Sequence, residues 1–480
     1  MTAEPTIAAP ASAVTLRPNS IGVVGMVFMI VAATAPLTAL ATNIAVSIGF
    51  GVGVGTVGLF IAVAVVLAVF AVGYLLLARH VRSAGGQAAF VSFGLGKPAG
   101  TAIAFVATVA YNAAAAGMSA ATGFYASIAL EQYLALQVPW YAFTAVTLTL
   151  LAILGMRGIQ TAEKVTIVSS LLQFLFVAVL AVAVFAQRPE GWNLTPLLPS
   201  EAFSGNLALS LVFILLSFGG FETSTIYSEE ARGGHRSITG ATYISLGLLT
   251  TVFVVSTWTL IAAHPDVVAT TATDPGSIVT ATASEYIGPW AGGVITLLIM
   301  VSFFGAAIAF HNMAARYQFA LARAHLLPGA LTRTHGAHSS PYVSSLVQVA
   351  FSALLLLPFV VAQVDVFSTL FPAISGITAL SLVAMMVAAS VSVVAARGKG
   401  KIRGGWFAAR IAPSASALVL TAVGLLIVLN YSAVTGGDSP VFAVMPLIPA
   451  VAAVYGAIRQ YRRPGGPGVE GYLESALEES

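Results

Sequence analysis

Apolar runs of about twenty residues or more recur from one end of this chain to the other, and short segments between them hold most of the charge. A run of that length crosses a hydrocarbon core about 30 Å thick as an α-helix. Hydrocarbon offers the backbone no outside hydrogen-bond partners, so only helices and closed barrels can span it. A barrel strand would alternate polar and apolar residues, and these runs do not. Composition agrees: 58% of residues are hydrophobic and 8% charged, where a soluble domain carries about 25% charged. The chain is therefore an all-α polytopic membrane protein.

The pattern predicts twelve spans, at residues 20–48, 54–78, 101–130, 139–156, 164–186, 206–230, 238–262, 291–318, 342–363, 366–395, 411–431 and 441–460. Residues 1–19, rich in Ala, Pro and Thr, read as a cytoplasmic tail without the charged start and short apolar core of a signal peptide. Residues 461–480 read as a second cytoplasmic tail. With both termini in the cytoplasm, nineteen of the twenty Lys and Arg fall on the inner side, and only Arg188 falls outside. That alternation satisfies the positive-inside rule for a protein of the cell membrane. All five tryptophans (Trp140, Trp192, Trp258, Trp290 and Trp406) lie near span ends or in loops, the level that indoles prefer.

Several function classes drop out. The chain has no cysteine, which excludes disulfides, thiolate metal sites and cysteine nucleophiles. It has no His-Glu-x-x-His, no Gly-x-Ser-x-Gly and no paired buried Asp, so nothing points to an enzyme, a bound metal or a cofactor. The pI near 9.1 does not point to nucleic acid, because the positive charges belong to short loops beside the bilayer.

Two spans carry backbone breakers at mid-depth. Pro36 lies within the first span; it lacks an N–H, clashes with the carbonyl four residues back and pushes Ala35 out of helical geometry. Proline is favoured at the first position of a new helix. The span should split into two half-helices joined by an extended piece over 33–35. The sixth span contains Phe218-Gly219-Gly220, about 184 residues further on. Five spans separate the breaks, so the two units point in opposite directions. This is the pattern of an inverted repeat with substrate held between discontinuous helices. Residues 20–186 would form the first five-span repeat and 206–395 the second, with 411–460 adding two spans outside it.

The breaks supply binding chemistry. Free N–H groups at a half-helix N-terminus suit a carboxylate; here they belong to Leu37 and Thr38, after Pro36. Free carbonyls at a half-helix C-terminus suit an ammonium group, and Ala32, Ala33, Ser217 and Phe218 offer them. One site with both fits an α-amino acid zwitterion. The structural alternative is a proline kink and a glycine packing notch; the matched positions favour the site.

Three stretches carry a family resemblance. "FGGFETSTIYSEEARGG" (218–234) resembles the sixth helix of the amino acid–polyamine–organocation (APC) permeases. "RSAGGQAAFVSFGLGKPAG" (82–100) resembles the loop after their second helix. "FHNMAARYQFALARAHLLP" (310–328) resembles the end of their eighth. The resemblance covers roughly residues 20–460. It implies a secondary transporter with the leucine-transporter fold, a five-plus-five inverted repeat and alternating access. It implies substrate contact from the backbone around Ala33, Ala35, Pro36, Leu37 and Thr38, and around Ser217, Phe218, Gly219, Gly220 and Phe221. Leu216 occupies a position where relatives carry an aromatic gate, and Phe218 or Phe221 would compensate. Gln173 stands where some relatives place a fifth-helix lysine in lieu of sodium, and glutamine does not titrate. The eighth-helix hydroxyls of a sodium site look absent, with Phe304 and Gly305 near that place. Proton coupling or exchange is the expectation, with a proton as the candidate coupling ion.

Ionisable residues inside a membrane are functional candidates. Glu222, at the second break, fits a helix cap, a proton acceptor or a substrate ligand. His311 fits a hydrogen-bonded packing role or a proton relay. Glu229, Glu230, Arg232 and Arg316 lie near the predicted inner mouth and fit a gate of ion pairs or ordinary solvated helix ends. Asn112 and Ser119, in "NAAAAGMSAA", fit close helix packing or a ligand role. The expected partner beside the lipid bilayer is a small amino acid, with a polyamine or other organic cation as the alternative.

Overall fold

The computed structural model describes residues 22–34, 36–81, 86–157, 161–191, 193–221, 232, 234–334, 340–436 and 440–463. Among them there are helices and turns and no strand. In chain order the α-helices are α1 Val23–Ala33, α2 Pro36–Thr38, α3 Thr56–Ala78, α4 Gly86–Leu95, α5 Lys97–Leu134, α6 Trp140–Arg157 and α7 Thr161–Gln187. Next come α8 Pro199–Ala202, α9 Leu207–Ser217, α10 His235–Ala263, α11 Val267–Thr273, α12 Ile278–Tyr286 and α13 Pro289–Arg323. The last are α14 Tyr342–Val361, α15 Phe371–Gly398, α16 Ala412–Leu429, α17 Tyr431–Thr435, α18 Pro440–Val444 and α19 Leu447–Tyr461.

Eight helical stretches among the described residues are long and apolar enough to cross a membrane: 53–78, 97–134, 235–263, 289–323, 342–361, 366–398, 407–429 and 442–461. They coincide with eight of the twelve expected spans, and the protein is a multi-pass membrane protein. The other four expected spans, the first, fourth, fifth and sixth, appear as shorter helices or as helices only partly described. The glutamates Glu222, Glu229 and Glu230 lie outside the described residues, as does Ala35.

Local chemistry sets the element ends. The Gly94-Leu95-Gly96-Lys97-Pro98 turn works because Gly96 takes φ +102°, a conformation open mainly to glycine. Pro98 then falls in the first turn of α5, where its missing N–H costs nothing. At the basic face, cations complete helix ends through carbonyls. Lys399 Nζ donates to Gly94 O (2.9 Å) and Lys401 Nζ to Phe93 O (2.8 Å), closing the C-terminus of α4 against the end of α15.

The helices pack in two groups. One joins α1, α3, α9 and α10; the other joins α5, α6, α13 and α14. Elements α2, α7 and α15 bridge them: α2 and α7 touch each other and both touch α13 and α10, and α15 packs on α5 as well as on α3 and α9. Lipid tails give helices no hydrophobic reason to associate, so small residues and polar contacts carry the packing. In α5, Ser119 donates to Ala115 O (2.7 Å), and Asn112 accepts from Gln318 Nε2 of α13 (3.1 Å). Both residues expected to serve packing or a ligand therefore bond protein groups here. Gly123 lets α6 approach: a Cβ there would lie 2.5 Å from Trp140 O and 2.7 Å from Thr144 N.

Gly123→Ala should cost about 1–3 kcal/mol, since backbone atoms of α6 cannot step aside as a flexible side chain would. Gly247→Ala, where a Cβ meets nothing within 4 Å, should leave stability unchanged or slightly raised. Thermal melting of the two purified variants beside the parent protein checks the contrast.

Candidate functional site

The first break is where Pro36 predicts it, and narrower than expected. α1 runs through Ala32 and Ala33 to a C-cap at Thr34, with φ −81° and ψ −10°, and the chain is helical again from Pro36. Thr34 Oγ1 donates back to Val31 O (2.8 Å). The carbonyls of Ala32 and Ala33 belong to the last turn of α1, where no later amide of the same helix can reach them. From Pro36 onward helical winding continues to Gly51, with wide π turns over Ala39–Ile44 and Ser47–Gly51. Such turns are rare and frequent at functional sites.

The second break follows α9. Asn206 caps that helix at its start by accepting from Leu209 N (3.1 Å). Ser217 ends it, Phe218 caps it with φ −85°, and Gly220 turns away at φ +102°. Only glycine adopts that φ without strain. A Cβ at Gly220 would lie 3.8 Å from Thr34 Cγ2, so the two breaks face each other. Above them, Asn43 Nδ2 donates to Ser217 Oγ (2.9 Å), and Ser217 Oγ donates to Phe213 O (2.8 Å). The stretch that follows Pro36 and helix α9 are thus tied side to side.

Around Pro36 a second set of bonds meets the bridging helices. Leu37 N–H donates to Gln173 Oε1 of α7 (3.4 Å), and Ser302 Oγ of α13 donates to the same oxygen (3.1 Å). Ser302 and Thr38 hydroxyls are 2.6 Å apart. Since Ser302 gives its proton to Gln173, Thr38 is the donor in that pair. All four residues are buried. Ser302 is an eighth-span hydroxyl that brings a side-chain oxygen to the start of α2. It lies two residues before Phe304, and nothing in the sequence separates it from the other serines and threonines of the apolar spans.

The aromatic residues at the second break point into the core. Phe218 packs edge-on against Phe60 and Phe253, at 5.9 and 5.4 Å between centroids, and Phe221 against Phe70 at 6.2 Å. Both rings are essentially unexposed. Leu216 is half-buried.

Other candidates lie apart from the breaks. His311 is fully buried between α13 and α14. Its Nδ1 faces Gln348 Oε1, its Nε2 is 2.7 Å from Ser345 Oγ, and Gln348 Nε2 donates to Ser352 (2.7 Å). Gln348 Oε1 can only accept, so Nδ1 donates to it, and Nε2 can accept from the Ser345 hydroxyl. That arrangement suits a neutral imidazole. Gly155 of α6 makes room for it, since a Cβ there would meet His311 Nε2 at 2.6 Å. Arg316 is half-buried and makes no ion pair with a described carboxylate. The backbone carbonyl of Arg232 accepts from Ser237 Oγ. A polar cleft of about 290 Å³, lined in part by Glu131, Gln132, Ser284 and Thr296, lies at the far end of α5, away from both breaks.

At the face opposite the basic residues the way to the breaks is covered. Tyr125 OH donates to Gly276 O (3.0 Å) and Ala41 O (3.3 Å). A Cβ at Gly49 would lie 3.0 Å from Ala272 N, so α11 rests directly on the end of the first span.

Two interrupted helices meeting at the middle of an all-helical bundle define a polytopic membrane protein of the leucine-transporter fold. A solved structure of MhsT in complex with L-phenylalanine shares that fold, with a TM-score of 0.55 at 12% identity over 82% of this chain and 98% of MhsT. A family model described as Amino acid permease matches residues 21–457, and the chain belongs to that amino acid permease family. The branched-chain amino acid permease BcaP of Bacillus subtilis (strain 168) is 26% identical over 209 residues. That match spans 43% of this chain and 43% of BcaP, so it reaches less than half the length of either. A Na+-coupled sialic acid symporter in a substrate-bound outward-open state has a TM-score of 0.48 at 11% identity, over 85% of this chain and 90% of its own.

Gly220→Ala tests the break without adding a clash, because its Cβ has space but its φ of +102° does not suit alanine. Strain of about 1–3 kcal/mol at that residue should reshape the break. Ligand binding, followed as a thermal shift, should be lost while the variant still elutes as a folded species. Gly219→Leu, whose Cβ would lie 3.0 Å from Leu216 O, should do the same.

Proposed function

We infer that this protein is a secondary transporter that moves a neutral amino acid across the cell membrane by alternating access. The single observation that carries the reading is the facing pair of breaks, Thr34 against Gly220. Where they meet, the N-terminus of α2 offers positive potential, and the C-termini of α1 and α9 offer carbonyls. A carboxylate and an ammonium on one α-carbon need both. Ala32, Ala33, Ala35, Pro36, Leu37, Thr38 and Leu216 through Phe221 form the substrate contact region in this reading.

The division of helices supports movement. α1, α3, α9 and α10 rock as a group against α5, α6, α13 and α14, with the site at their junction. The seal of Tyr125 and the α11–α12 loop closes one side, and the basic face carries the other opening. In this reading both termini lie in the cytoplasm, which the distribution of Lys and Arg supports.

Buried or half-buried side chains near the breaks, such as Leu37, Leu216 and Thr38, are uncharged. That favours an apolar side chain on the substrate, in keeping with the name of BcaP. Transport proceeds by exchange or with a proton, and Glu222 and His311 are the candidate proton groups.

Purified protein should melt higher in saturating L-leucine, L-isoleucine or L-valine than in buffer. At one hundred times Kd the gain is about 2.7 kcal/mol by mass action. Spermidine and putrescine should give no shift. Vesicles containing the protein and loaded with unlabelled leucine should accumulate tritiated leucine by counterflow. A shift with polyamines alone, or no counterflow with any amino acid, would count against the reading.

A further inference from the structure

The hydrogen bonds around Gln173 do more than fill a gap between helices. One carboxamide oxygen accepts from the backbone of Leu37 and from Ser302, and Ser302 accepts from Thr38. Those three partners belong to α2 and α13, while Gln173 belongs to α7. Leu37 and Thr38 are the first residues after Pro36, so this cluster fixes where the second half of the first span begins. It also engages the Leu37 N–H, which the end of α2 would otherwise present to a ligand.

We propose that Gln173 is a positioning residue, a latch that seats the start of α2 on α7 and α13 through an uncharged carboxamide, so that no metal ion is required to hold this junction. The proposal rests on the transport reading, and it specifies how the substrate site is held together. A backbone N–H and two hydroxyls buried in an apolar bundle need an acceptor, and leaving them without one is costly. A cation placed there would repel the N–H and have to displace the donors pointing at Gln173 Oε1. An amide oxygen satisfies them with no net charge and no counterion.

Among the described residues, the charged groups of the elements packed against α7 lie at element ends or well along α13 from Ser302, and Glu190, in the turn after α7, pairs with Arg188. α1 and α2 carry no titratable side chain. His235, Arg236 and Tyr243 of α10 belong to its first turns, and Glu285 and Tyr286 of α12 to its last. In α13, His311 lies nine residues beyond Ser302 and bonds Gln348 and Ser345. Arg316, Tyr317 and Arg323 lie further along the same helix.

Three variants test the latch. Gln173→Leu keeps the bulk and removes the acceptor. Gln173→Glu keeps the acceptor oxygen, replaces the amide nitrogen by a second oxygen and adds a charge when ionised. Burial raises a carboxyl pKa, so the acid form, which imitates the amide, prevails at low pH and is lost as pH rises. The chain has no cysteine, so Thr34→Cys, at the break but outside the latch, gives a single thiol whose maleimide labelling reports how tightly the junction is closed.

In vesicles, tritiated leucine counterflow by the parent protein should be the same in sodium and potassium media. Gln173→Leu should lower it about tenfold or more. Counterflow by Gln173→Glu should fall relative to the parent as pH rises from about 5 to 8. In Thr34→Cys protein, adding Gln173→Leu should speed labelling several-fold. A parent that needs sodium, a Gln173→Leu variant with normal counterflow, or a Gln173→Glu profile parallel to the parent's would each overturn the latch. Should the parent carry no amino acid at all, the transport reading fails, and the labelling rate still decides the latch: unchanged labelling overturns it.

Discussion

The backbone's demand for hydrogen-bond partners governs this structure. Within hydrocarbon an unpaired amide or carbonyl costs several kcal/mol, so long unbroken helices are the default and most described spans obey it. A helix that ends at mid-depth exposes up to four donors or acceptors. The protein tolerates this twice, at Thr34 and at Gly220, and at both places other groups stand ready. Thr34 Oγ1 takes Val31 O, Gln173 takes Leu37 N, and Gly219 N returns to Leu216 O (3.0 Å).

Those local repairs join into a wider polar seam. Thr38, Asn43 and Ser47 on the first span meet Ser302, Ser217 and Ser210 on other elements. Each bond is modest in net terms, about 0.5–1.5 kcal/mol. Their directionality matters more, because apolar contacts in a bilayer specify rotation and depth poorly. Ser210 shows how tightly geometry is set: it accepts from Ser47 Oγ (2.8 Å) and from Val52 N (3.0 Å). A side chain at Gly51 would run into it, with Cβ 2.1 Å from Ser210 Oγ. A seam of this kind lets two broken spans keep one register while their ends stay open.

The long helices and both breaks were legible in the chain, because each follows from residues acting on their own backbone. An apolar run makes a span wherever it lies, Pro36 ends the helix before it, and Gly220 permits a φ that no neighbour has to supply. What the sequence withheld were partners brought together by tertiary folding. Ser302 lies 264 positions from Thr38, and Ser217 lies 174 from Asn43. Both are common residue types among many hydroxyls, and no spacing rule singles them out. Ser302, on the half-turn before Phe304, is such a residue: its place beside Thr38 is set by tertiary packing and not by its sequence neighbours. The width of the first break was also misjudged. Proline's steric effect extends to one residue before it, and helix α1 uses the rest of the expected extended piece.

In the transport reading proposed above, the second break separates recognition of the common part of a substrate from recognition of its side chain. Phe218 and Phe221 turn their rings into the aromatic cluster of Phe60, Phe70 and Phe253, which fixes the chain on either side of Gly219 and Gly220. Neither glycine between them has a side chain, and Gly220 faces Thr34, so what they present is peptide backbone. Peptide groups read charge and hydrogen-bond direction, and any α-amino acid offers the same pair of groups to them. In that reading, discrimination among side chains falls to residues that flank the bare backbone, such as Leu216 on the turn before it. Substitution at the glycines then acts on whether a ligand is held at all, whereas substitution at Leu216 acts on which one is held.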